Sequence, residues 1–212
     1  MFHAALAERL ERPVAFLNIG GVANLTWLGR AGEVIAFDTG PGNALLDDWM
    51  LARTGTPFDE DGATAASGQP DRPTLAALLS ASYFDRVPPK SLDRLDFAAA
   101  AVAGLDTADG AATLAAFTFL AVARAVEHVP QPPRRWLVTG GGRKNLTIMA
   151  GLAHHLSVPV APVEKEGWDG DALEAQAFAF LAVRARLGLP LSLPTTTGVA
   201  TPTSGGRLFR AR

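Results

Sequence analysis

The sequence predicts an α/β domain on one mixed sheet, and three observations carry that expectation. Three short apolar runs (residues 14–17, 22–28 and 34–37) are separated by Gly20-Gly21 and Arg30-Ala31-Gly32, the spacing of a three-strand meander. Past residue 107 the pattern changes to apolar helices alternating with short strands. Glycine-centred turns follow apolar runs at residues 18–26, 35–43 and 136–145. Backbone N–H groups approach an anion closely only where side chains are absent, so such junctions point to phosphate or nucleotide handling.

In chain order, residues 3–11 have helical composition, with Leu6 and Leu10 four apart, and Arg12-Pro13 stops them. The meander follows. Asn43 is placed to cap a helix over residues 44–53, with Leu45, Leu46, Trp49 and Met50 on one face and Asp47-Asp48 near its positive end. Residues 54–107 form a helical and irregular excursion, with a loop at 56–62 and a short helix at 74–81. Within it Pro88-Pro89-Lys90-Ser91 reads as an extended surface stretch. A long Ala-rich helix is expected over 109–128, ended by Pro130-Gln131-Pro132-Pro133. A strand over 135–139, a helix over 146–156, a strand over 158–161 and a helix over 171–187 complete the body. The tail from Gly188, rich in Pro, Thr and Gly, reads as irregular. Three antiparallel strands followed by alternating helices and strands is the ribonuclease-H-like order, that of one lobe of actin-like ATPases and sugar kinases.

Composition narrows the function. The chain has 212 residues, 48% apolar and 19% charged, enough to bury a real core. A net charge of −2 with no basic block argues against a nucleic-acid partner. With no cysteine, disulfides, thiolate catalysis and zinc–thiolate sites are excluded, and a reducing compartment fits. The first residues lack a basic segment followed by an apolar core, so no signal peptide is read. No apolar run approaches the roughly 20 residues that span a bilayer. The expectation is a cytoplasmic protein with no membrane partner.

Asp38 ends an apolar strand against Gly40-Pro41-Gly42, where it serves as a general base or metal-proximal carboxylate, or else as an Asx turn bonded to its own backbone. Gly140-Gly141-Gly142 precedes a helix whose first turn is expected to hold Lys144 and Asn145, a nucleotide site or a plain strand-to-helix loop. Neither a P-loop nor a G-x-G-x-x-G is present. Glu174, near the start of an apolar helix, contacts substrate or favours the helix dipole. Lys90, on an exposed loop, reaches a phosphate or sugar or is only solvated. His3, His128, His154 and His155 lack metal-ligand spacing, and no residue is read as a metal ligand. Trp27, Trp49 and Trp136 read as core.

Three stretches together resemble the anhydro-N-acetylmuramic acid kinase family: Leu17-Asn18-Ile19-Gly20-Gly21-Val22-Ala23-Asn24-Leu25-Thr26, Phe37-Asp38-Thr39-Gly40-Pro41-Gly42-Asn43-Ala44-Leu45 and Thr139-Gly140-Gly141-Gly142-Arg143-Lys144-Asn145. Asp59-Glu60-Asp61-Gly62, Pro88-Pro89-Lys90-Ser91 and Leu173-Glu174-Ala175-Gln176 add to the match, in the family's order. The resemblance implies an ATP-dependent kinase of peptidoglycan recycling, with ATP, Mg²⁺ and an amino sugar as its small molecules. Members open the 1,6-anhydro ring of anhydro-N-acetylmuramic acid with water and phosphorylate O6. By that pattern Asp38 is the catalytic base, and Asn43, Lys90 and Glu174 lie on the sugar side. Gly20, Gly21, Asn24, Gly140, Gly141, Gly142 and Asn145 line the nucleotide cleft.

The resemblance covers residues 1–212 as a single C-terminal lobe, because the Gly-Thr-Ser-Leu-Asp-Gly-type phosphate loop of the family's N-terminal lobe does not occur. Leu92-Asp93-Arg94-Leu95 also departs from the family's Thr-Gly-Arg-Glu after Lys-Ser. A lobe without its partner is expected to be inactive or nearly so. Its exposed cleft wall would favour self-association as a homodimer. Two rival readings are a non-catalytic nucleotide- or sugar-binding module and a different actin-like enzyme, such as an amino-sugar kinase without hydrolase action.

Overall fold

The computed structural model describes residues 1–209. Helix α1 (Phe2–Leu6) leads into the meander β1 (Val14–Ile19), β2 (Val22–Leu28) and β3 (Val34–Pro41). Helix α2 (Ala44–Thr54) follows, then α3 (Ala63–Ser67) and α4 (Arg72–Leu79) within the excursion. The long α5 (Thr107–Ala125) leads to β4 (Trp136–Thr139), α6 (Leu146–Leu156), β5 (Val160–Pro162), α7 (Leu173–Arg186) and α8 (Pro194–Thr197).

The sheet order is β3-β2-β1-β4-β5. β1, β2 and β3 pair antiparallel, while β4 and β5 run parallel to β1. This is the ribonuclease-H-like sheet that the order of elements predicts. Side-chain alternation divides it cleanly. Ala15, Leu17, Ile19, Leu25, Trp27, Phe37, Trp136 and Val138 belong to the larger core, with α2, α5 and α6. Val14, Phe16, Leu28, Val34 and Leu137 belong to a smaller core with Leu173 of α7. Trp27, Trp49 and Trp136 are all buried, as expected.

Several details depart from expectation. The first helix is one turn, ending at Leu6 rather than residue 11. The last strand starts later than expected, at Val160. Continued by a tight turn, α5 reaches His128, giving 22 residues whose most apolar 18-residue window has a mean hydropathy of 1.4, long and apolar enough to cross a bilayer. Yet 67% of its apolar window is buried, so its length reflects a core helix laid under the sheet. The tail is not wholly irregular: α8 packs on β3, and Ser192 bridges Thr203. Asn43 does not cap α2 with its side chain. Its backbone is already helical (φ −79°, ψ −20°), whereas a capping side chain reaches the next amides from an extended residue.

Candidate active site

The three glycine turns meet at one end of the sheet. Asn43 donates its amide to the Gly20 carbonyl at 2.7 Å, and the Gly42 amide donates to Gly21 at 3.0 Å. Asn43 Nδ2 donates to the Ile19 carbonyl at 3.3 Å, so the side chain freed from capping ties the turns together. A Cβ on Gly42 would fall on the Gly20 carbonyl, and one on Gly140 would stand 2.6 Å from the Ile19 oxygen. Glycine is required because three backbones converge. The turn after β4 is a tight helical turn (Gly141–Lys144), so Lys144 and Asn145 precede α6 rather than forming its first turn. Asn145 caps α6, its Oδ1 accepting the Ile148 amide at 2.9 Å.

Beside these turns runs a polar row. Asp38 pairs with Asn24, Asn24 with Asn18, and Asn18 with Thr139, one register line across four strands. Alternation puts all four on the face of Phe16 and Leu137. Strands about 4.8 Å apart make the row roughly 14 Å long. A bulge at Thr39 follows Asp38, and the Thr39 hydroxyl donates to the Ala23 carbonyl at 3.1 Å.

Two clefts open along the row. The first, of about 330 Å³, is lined by His3, Asn18, Asn24, Thr139, Gly140 and Glu174. The second, of about 410 Å³, is lined by Asn24, Asp38, Pro89, Lys90, Ser91 and Thr197. Asn24 forms part of both walls. A third, of about 480 Å³, lies across Gly141 from the first and takes in Asn43, Asp47, Asp59, Lys144 and Asn145. Glu174 therefore stands with the glycine loop, while Asp38 and Lys90 share the neighbouring cleft.

Asp38 forms no Asx turn. Its Oδ2 accepts the amide of Leu92, 54 residues away, at 2.8 Å. Partial burial raises its pKa above the usual carboxylate value, and the Leu92 amide opposes that shift. Lys90 is a correction: it is buried rather than on an exposed loop. Its Nζ donates to the carbonyls of Phe84 and Tyr83 at 3.1 and 3.2 Å. A Pro-Pro-Lys-Ser segment reads as solvated because nothing local shows the carbonyls that await the ammonium. Burial, then Arg124 and Arg86, lowers its pKa to about 8.

Sequence reasoning gave Arg143 no role of its own and weighed His3 only as a metal ligand. Arg143 is buried between Glu164 and Asp171, at 2.7 and 2.9 Å. His3 Nδ1 lies 3.0 Å from Thr26 Oγ1, with the ring stacked on Phe16. Neither residue carries a local signal, since its partners are remote in sequence. Among the described residues no three His, Asp or Glu side chains are grouped to hold a metal ion.

The family model described as anhydro-N-acetylmuramic acid kinase matches residues 1–211. The chain belongs to the anhydro-N-acetylmuramic acid kinase family. The family's kinase from Acidiphilium cryptum (strain JF-5) is 61% identical over 213 residues, covering 99% of this chain and 59% of that protein. The kinase from Rhodospirillum rubrum is 58% identical, over 99% of this chain and 56% of that protein. The chain thus spans a little under three fifths of the length of these relatives. Among solved structures, the activator of the 2-hydroxyisocaproyl-CoA dehydratase from Clostridium difficile, with bound ADPNP, aligns with a TM-score of 0.48 at 15% identity. That alignment covers 86% of this chain and 67% of the other, a likeness too slight to bear on ligands.

Proposed function

We propose that this chain is the base-bearing lobe of an anhydro-N-acetylmuramic acid kinase. Asp38 would take a proton from the water that attacks the anomeric carbon. The bond from that carbon to O6 breaks, and O6 accepts the γ-phosphoryl group of ATP. The products are N-acetylmuramic acid 6-phosphate and ADP. The observation that carries this reading is Asp38 at one end of the polar row. Its Oδ2 is held by a single amide, and its raised pKa makes it a stronger base than a solvated carboxylate.

The other end of the row suits the nucleotide. Gly140 and Gly142 press the loop against Ile19, and Gly141 borders the cleft with no side chain between its backbone and a phosphate. Asn24, between the two clefts, would face both substrates. Mg²⁺ would arrive with the phosphates and neutralise their charge, because no acidic cluster among the described residues is arranged to hold it alone. Glu174, Asn43 and Asn145 would line the nucleotide side, a different grouping from the one implied by the resemblance for Glu174 and Asn43. Phosphoryl transfer depends on positioning, and the relatives' remaining two fifths would supply the facing wall. A cytoplasmic location follows from the same role.

The test is ATP-dependent phosphorylation of 1,6-anhydro-N-acetylmuramic acid by the purified chain, with and without the N-terminal remainder of the Acidiphilium cryptum kinase. Turnover is expected only in the mixture and is abolished by Asp38→Asn. Full turnover by the Asp38→Asn protein would overturn the assignment of the base. Ligand binding without turnover in any mixture would favour the non-catalytic module.

A further inference from the structure

We infer that Lys90 is a positioning residue, whose buried ammonium closes the strap of residues 83–92 so that the strap holds Asp38 at three points. This rests on the reading of Asp38 as the base, and it replaces the sugar contact implied for Lys90 by resemblance.

The three points are Asp38's own amide, carbonyl and carboxylate. The Asp38 amide donates to the Lys90 carbonyl at 3.0 Å. The Tyr83 hydroxyl donates to the Asp38 carbonyl at 2.6 Å. The Leu92 amide donates to Asp38 Oδ2 at 2.8 Å. All three partners come from one segment of the excursion, and a carboxylate so held cannot swing without moving the strap.

Lys90 closes that segment on itself. Its Nζ reaches the Tyr83 and Phe84 carbonyls and lies 3.3 Å from His128 Nε2, which is 2.9 Å from the Phe84 carbonyl. The ammonium also faces the rings of Tyr83, at 4.8 Å, and Phe37, at 5.8 Å. No carboxylate forms a salt bridge with it among the described residues; Arg124 and Arg86 stand near enough to repel it, and Asp85 near enough to offset part of that repulsion. A lysine kept charged to meet substrate would not be satisfied by backbone carbonyls from its own strap. Burying an ammonium is costly unless its donors are used, and here carbonyls use them. Among the described residues, the chain from Val87 to Ser91 makes one backbone hydrogen bond, the one to Asp38. The Nζ crosslink is what ties it back to the turn at Ser82–Asp85.

The experiment needs no turnover, so its failure is distinct from failure of the kinase reading. In the purified chain, amide hydrogen exchange at Leu92 and carboxylate NMR titration of Asp38 are compared in wild type, Lys90→Met and Lys90→Arg. Lys90→Met is expected to speed Leu92 exchange at least tenfold relative to Val138, and to move the Asp38 titration to higher pH as its amide donor loosens. Lys90→Arg, which keeps the charge and donors, restores part of both. A folded Lys90→Met chain with wild-type Leu92 exchange and Asp38 titration overturns the inference; weaker sugar binding in that same chain makes Lys90 a substrate contact. Should Lys90→Met not fold, Tyr83→Phe removes only the hydroxyl on the Asp38 carbonyl. Faster Leu92 exchange is then expected, and unchanged exchange overturns the inference.

Discussion

Arg143 Nη1 donates to the carbonyl of Gly140 at 2.9 Å, so the side chain that closes the glycine loop also braces its first residue. Its Nε and Nη2 reach Glu164 and Asp171, which joins the loop after β4 to the loop before α7. Both loops border the cleft that contains Glu174. Lysine keeps the charge but lacks the planar fork, so it cannot make three bonds in fixed directions. Arg143→Lys is expected to cost roughly 1.5–3 kcal/mol, the range for hydrogen bonds to charged groups. Urea unfolding checks the stability, and a nucleotide titration should show weaker binding. Unchanged values for both would leave the brace without a role.

The three glycines of that loop are not equivalent. Gly140 has φ +76°, and a Cβ there would press on the Ile19 carbonyl. Gly142 would place a Cβ 2.6 Å from Ile19 Cβ. Gly141 has ordinary backbone angles, and its nearest obstacle is Asn43 Nδ2 at 3.4 Å. Gly140→Ala and Gly142→Ala should each destabilise the fold by about 1–3 kcal/mol, through strain and overpacking. Gly141→Ala should change stability by no more than about 0.5 kcal/mol. Because Gly141 borders two clefts, its methyl group should instead weaken nucleotide binding. Thermal unfolding and ligand titration of the three variants separate the two effects.

Those glycines show what was legible in the sequence. Gly20, Gly42 and Gly140 mark turns through a local property, the lack of a Cβ, and their strands announce themselves by apolar runs. The ribonuclease-H-like class, with its opening antiparallel meander, follows from the succession of elements. The polar row could not be read, because Asp38, Asn24, Asn18 and Thr139 are aligned by strand register across 121 residues of chain. The burial of Lys90 was hidden for the same reason: its ring neighbour Phe37 and its contact His128 are distant in sequence. Asn43 was misread in its side chain alone, since a helix cap and a turn-to-turn tie need the same residue type.

Acid stability should depend on His3 and Asp47 with opposite signs. His3 is held down to about 4, from an ordinary 6.5, by burial and then by the N-terminal amino group. Between those values the unfolded chain binds a proton that the folded chain refuses. The contribution of His3 is therefore fully present above pH 6.5 and is lost as the pH falls through the window. Asp47 is pushed up to about 6, from 3.8, by burial and then by Asp48, with Arg94 opposing. Here the folded chain keeps a proton that the unfolded chain releases, so stability declines as the pH rises from 3.8 to 6. His3→Gln should thus make the melting temperature less sensitive to acid than wild type between pH 6.5 and 4. Asp47→Asn should make it more sensitive across the same range. Melting curves of the three proteins at pH 4, 5, 6 and 7 decide the matter. A His3→Gln profile parallel to wild type would mean that the imidazole takes its proton as readily in the fold as out of it.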